Sequence, residues 1–115
     1  MRIMVVDDDP LAGEMAAAIL EDAGHECLRV ENGIEALEML AGTDGVELIV
    51  SDMNMPLLSG LDLLQELRER GIAIPFVLLT ADAPAPLLAR EPRLAACLLK
   101  DESLEETLPA RVNAL

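Results

Sequence analysis

Three carboxylates stand side by side at Asp7, Asp8 and Asp9, directly behind the apolar run 3–6. Other polar residues follow short apolar runs in the same way: Asp52 after 48–51, Thr80 after 76–79 and Lys100 after 96–99. Adjacent like charges repel, so the acidic triplet reads either as a solvated turn or as a cation site. Clustered carboxylates suit a hard cation such as magnesium, Mg2+, which takes oxygen ligands and keeps several of its waters. A carboxylate held beside such an ion can attack phosphorus. An ammonium and a hydroxyl would then neutralise charge on the transferred group's oxygens. No histidine or spare carboxylate is placed to serve a leaving group as general acid. Such a set is equipped to accept a phosphoryl group rather than to turn over varied substrates.

The elements that must carry these residues are legible as five short apolar runs, at 3–6, 27–30, 47–50, 76–79 and 96–99. Four of the five are nearly continuous in apolar character, as in a parallel sheet covered on both faces. Between them apolar residues recur at helical spacing: Leu11, Met15, Ala18 and Ile19; Ile34, Leu37, Leu40 and Ala41; Leu61, Leu64 and Leu67. Leu104, Leu108, Val112 and Leu115 make a fourth stripe, and all four are expected to face the core. Asp9 before Pro10 reads as a helix cap. Ser59 with Asp62, and Ser103 with Glu106, have capping-box spacing. Gly24, Gly45 and Gly71 fall where helices should end. Three prolines between residues 81 and 94 leave space for only one or two helical turns. Strand–helix alternation five times over predicts a doubly wound α/β domain. Sheets of that kind bind ligands beyond the carboxyl ends of their strands. The rule brings Asp7, Asp8, Asp52, Thr80 and Lys100 to one crevice.

Bulk properties agree with one domain over 1–115. The chain is 52% apolar, so disorder is not expected despite a net charge of −14. With 22 acidic against 8 basic residues and no basic cluster, direct nucleic-acid binding is disfavoured. No apolar run approaches the ~20 residues of a membrane helix, and the first residues are too short for a signal peptide. A cytoplasmic protein with no membrane contact is the expectation. Cys27 and Cys97 have neither metal-ligand spacing nor a disulfide-rich context and read as buried thiols. His25 stands alone and is not expected to act.

The stretch 51–64, from Ser51 through Asp52, Met55-Pro56 and Gly60, resembles the receiver domain of two-component response regulators. So do Asp7-Asp8, Thr80-Ala81 and Lys100, in the same order along essentially the whole chain. The resemblance implies a flavodoxin-like five-stranded parallel sheet of order 2-1-3-4-5. It also implies Asp52 as phosphoacceptor, with Asp8, Asp52 and the backbone carbonyl of Asn54 on magnesium. Asp7 would act mostly through water, Lys100 would hold a phosphoryl oxygen, and Thr80 would move to bond another. The donor implied is a histidine kinase or histidine phosphotransfer protein, and the output an unidentified downstream protein. Asp9 is left to cap the first helix.

Departures from the family lie in the second half. Cys97 stands where an aromatic residue is usual, and the fourth helix must be short and irregular. Asp101 replaces the proline after Lys100, which favours a trans Lys100–Asp101 bond and a rerouted loop. Pro109 is expected to interrupt the last helix. A receiver-like interaction domain that no longer switches is therefore an alternative. A magnesium-dependent phosphohydrolase using Asp52 is another, although Asn54 stands where such an enzyme commonly has a second acid. No effector domain follows residue 115, as in a stand-alone receiver or one cut from a longer chain.

Overall fold

The five apolar runs form five parallel strands in the structure, a computed structural model covering residues 1–115. They are β1 (Arg2–Val6), β2 (Glu26–Val30), β3 (Leu48–Asp52), β4 (Phe76–Thr80) and β5 (Ala96–Leu99), in the order β2-β1-β3-β4-β5. Helices α1 (Pro10–Asp22), α2 (Gly33–Gly42), α3 (Gly60–Glu69), α4 (Pro84–Arg90) and α5 (Leu104–Asn113) follow the strands in turn. The expected flavodoxin-like architecture is thus the one found. Successive strand residues face opposite sides. Ile3, Val5, Val50, Val77 and Leu79 therefore pack with α1 and α5, whereas Met4, Val6, Ile49 and Leu78 pack with α2 and α3. Central strands β3 and β4 are buried along their whole length. That double burial is why they read as unbroken apolar runs. The core is aliphatic but for Phe76, the only aromatic residue, which is fully buried.

Local signals start and stop the helices as expected in most cases. Asp9 caps α1, its Oδ1 accepting from the Leu11 amide at 3.0 Å. Ser59 and Asp62 form a reciprocal capping box on α3. Gly24, Gly45 and Gly71 all have positive φ. Arg68, near the end of α3, donates to the carbonyls of Ile72 and Ile74 and so holds the turn into β4.

Three expectations are corrected. On α1, Leu11, Met15 and Ala18 face solvent and Ile19 is half-buried, while Gly13, Ala16, Ala17 and Leu20 face the sheet. These inward residues share the same helical spacing, and the small size of Gly13, Ala16 and Ala17 lets the helix lie close to the strands. On the second and fourth stripes, Ile34, Ala41 and Leu115 are likewise exposed. Ser103 makes no cap, because it is helical in conformation and gives its amide and hydroxyl to the Asp101 carboxylate instead. Finally, α5 runs through Pro109 unbroken. Leu104, Leu108 and Val112 are buried along its inner face. At roughly 1.5–3 kcal/mol each, their burial outweighs the ~3 kcal/mol that an interior proline costs.

Candidate functional site

The parallel ladders fix each polar residue at the carboxyl edge. The Asp7 amide donates to the Val30 carbonyl at 3.2 Å, which carries the β1–β2 pairing one residue past the strand. Asp52 ends β3, and the next amide, of Met53, donates to the Leu79 carbonyl at 2.9 Å. Thr80 ends β4, and its carbonyl accepts from the Lys100 amide at 2.7 Å. Backbone pairing thereby gathers residues that lie far apart in sequence. Gly60 makes the last approach possible. A Cβ there would stand 2.5 Å from Leu78 Cδ1 and 2.6 Å from the Asp52 carbonyl oxygen. No side chain fits, so α3 can begin directly against the end of β3.

The three adjacent carboxylates have three different surroundings. Asp7 is buried, with Oδ1 accepting from the Asp9 amide at 2.9 Å and Oδ2 from Lys100 Nζ at 2.8 Å. Asp8 is exposed, and Asp9 is the helix cap. The plain reading of the triplet as a solvated turn fails at Asp7. Lys100, half-buried, also approaches Asp52 Oδ1 at 3.4 Å. Burial pushes the Asp52 carboxyl above its usual range; Lys100 opposes this, and Asp7 adds to it. Burial alone would favour the neutral amine of Lys100, but its bond to Asp7 and the Asp52 charge hold the ammonium above its ordinary range. The lysine is therefore a fixed cation inside an acidic crevice.

Carboxylate oxygens of Asp7, Asp8 and Asp52 all lie within 4.8 Å of one another. An all-oxygen set containing one solvent-facing carboxylate fits a hard divalent ion that keeps part of its water shell. Asn54 lies exposed in the turn after Asp52. Thr80 is fully buried, and its hydroxyl oxygen accepts from the Asp82 amide at 3.1 Å. His25 is outside the site, between the chain's amino group and Asn113. Every peptide bond is trans, Lys100–Asp101 included, and Lys100 still reaches both carboxylates.

Two features of the site had no counterpart in the sequence reading. The Thr80–Asp82 bond depends on a turn that the sequence does not mark. The turn after Asp52 contains Leu57 at φ 69°, the only non-glycine residue with positive φ. Leucine gives no signal of that conformation.

Comparison with known proteins agrees with this geometry. Residues 3–111 match the response regulator receiver domain family. The sensor histidine kinase RcsC of Salmonella typhimurium is 35% identical over 107 residues, covering 91% of this chain and 11% of that protein. The response regulator MprA of Mycobacterium avium is 36% identical across the whole chain, which spans 50% of that protein. Among solved structures, the response regulator TrrA of Thermotoga maritima, in complex with Mg2+ and BeF, superposes with a TM-score of 0.85. It is 28% identical, and the match covers 98% of this chain and 96% of that one. A Francisella response regulator receiver domain matches with 30% identity and a TM-score of 0.85, covering 98% and 93% of the two chains.

Proposed function

Because the chain belongs to the response regulator receiver domain family of two-component signalling, we propose that it is a phosphoacceptor module charged on Asp52 by a histidine kinase or histidine phosphotransfer protein. The supporting observation is Lys100 lodged between Asp7 and Asp52 at the carboxyl edge of the sheet. In the transfer, an Asp52 carboxylate oxygen attacks phosphorus. The donor's N–P bond breaks as the new O–P bond forms, and the imidazole leaves with the bonding pair. Lys100 would hold one phosphoryl oxygen and Thr80 a second. Asp8, Asp52 and the Asn54 carbonyl would hold magnesium, with Asp7 acting mostly through water. When bound, the ion supplies positive charge for the phosphoryl oxygens.

The chain would catalyse only its own phosphorylation and dephosphorylation, and pass the state on by conformational change to a downstream protein. Direct binding to nucleic acid does not suit a net charge of −14. A cytoplasmic setting suits two free cysteines, and no helix is long and apolar enough to cross a membrane.

Incubation with phosphoramidate and magnesium, read by intact mass, tests the reading. A stoichiometric, base-labile adduct is expected, abolished by Asp52→Asn and by chelation. An adduct that persists on Asp52→Asn rejects the assignment. No adduct at all would favour an interaction domain that no longer switches, and steady phosphate release from varied esters a hydrolase.

A further inference from the structure

Leu57 is the most exposed large apolar side chain, at 79%, in the turn between β3 and α3. The Leu58 amide donates to the Pro56 carbonyl at 2.8 Å and closes a three-residue turn around it. With φ of 69° at its centre, this is the uncommon and strained form of such a turn. Glycine or asparagine would occupy the conformation with less strain, and leucine gains no burial there in return. Neighbours enforce the geometry. Leu58 packs so closely on the start of α2 that a Cβ at Gly33 would lie 3.0 Å from its own Cβ. The Gly60 amide returns to the Met53 carbonyl at 2.8 Å. A leucine is thus held out into solvent a few residues beyond Asp52.

Leu11, 65% exposed, stands at the same sheet edge, in the first turn of α1, which follows β1, the strand beside β3. Exposed charge at this edge is mainly acidic, from Asp8, Asp9, Glu31 and Asp82 against Arg29, while Lys100 is committed to Asp7 and Asp52. A second copy of a chain carrying −14 would be repelled from such a surface. We propose that Leu57 is an apolar anchor for the protein that donates the phosphoryl group, seated in a hollow of that protein bordered by basic side chains. The proposal rests on the reading of Asp52 as phosphoacceptor, and it concerns the protein donor alone. A small phosphodonor needs no anchor.

Two substitutions test it. Leu57→Asn tolerates positive φ and removes the apolar side chain; Leu57→Met keeps an apolar side chain of similar reach. Transfer is followed from a phosphohistidine-bearing kinase domain, chosen from a panel because it labels the unsubstituted chain, with phosphoramidate labelling in parallel. Leu57→Asn should slow transfer from the kinase domain about tenfold or more, as expected for loss of a buried anchor. It should leave phosphoramidate labelling within about twofold and melt no lower than the unsubstituted chain, while Leu57→Met should retain most of the transfer. Unchanged transfer to Leu57→Asn overturns the proposal. So does equal loss with both donors, which would make Leu57 a positioner of Asp52, and so does a lower melting temperature. A chain labelled by phosphoramidate but by no kinase domain has no protein donor to anchor. A chain labelled by neither loses the phosphoacceptor reading first.

Discussion

Lys100 Nζ lies 2.8 Å from Asp7 Oδ2 and further, at 3.4 Å, from Asp52 Oδ1, so the ammonium is bonded first to Asp7 rather than to the proposed phosphoacceptor. Asp7 is buried, and removing its partner would strand a charge. With Lys100 partly open to solvent, the loss from Lys100→Met is discounted from the 3–5 kcal/mol of a fully buried pair to about 1–3 kcal/mol. A double-mutant cycle with Asp7→Asn, measured by urea unfolding, should give a coupling of about 1 kcal/mol or more. Additive losses would mean that the pair is not a unit.

Gly60 should tolerate no side chain. The obstacles to a Cβ are a core leucine and the backbone of Asp52 itself, neither of which can turn aside cheaply. Gly60→Ala is expected to cost about 1–3 kcal/mol by overpacking. It should also slow phosphoramidate labelling by displacing the end of β3. Stability and labelling equal to those of the unsubstituted chain would contradict this.

The cysteines should be chemically quiet. Burial pushes the Cys27 thiol up to about 11, helped by Glu21 and Glu26, and burial raises Cys97 as well. Folding favours the protonated thiols, so their contribution to stability is complete below the ordinary thiol value. It declines as pH rises from there through the folded value. Iodoacetamide at pH 8 should modify the native chain much more slowly than the urea-unfolded chain. The two cysteines sit on opposite edge strands, about four spacings or 19 Å apart, too far for a bridge. Non-reducing peptide mapping that found one within a monomer would contradict the strand order.

The response to phosphorylation should centre on α4. The Thr80 hydroxyl accepts from the Asp82 amide, and α4 itself buries no residue and has no side-chain cap. Recruiting that hydroxyl to a phosphoryl oxygen would loosen the start of a weakly held helix. Amide exchange with and without a phosphoryl mimic should change between residues 81 and 91. Changes confined to α1 and α2 would refute this route.

Much of this was legible before the structure. Continuous apolar runs mark strands buried on both sides, and the carboxyl-edge rule then gathers Asp7, Asp8, Asp52, Thr80 and Lys100. What was not legible has physical causes. Helix α1 is apolar nearly all round, so periodicity alone cannot choose Ala16 and Ala17 over Leu11 and Met15; close approach to the sheet chooses. A capping box needs an extended cap residue, which Ser59 supplies and helical Ser103 does not. Pro109 marks a missing donor but not the burial that overrides it. Leu57 has a backbone conformation that its side chain does nothing to announce.

The order of the strands has a consequence for the chain during its synthesis. Asp7 and Asp8 leave the ribosome well before Lys100, which follows the edge strand β5. Until β5 docks beside β4, the acids at the sheet edge face one another without their cation. A chain made only as far as β4 therefore has Asp52 but not the ammonium that lies 3.4 Å from it in the finished fold. The crevice is complete only once β5 has closed that edge of the sheet.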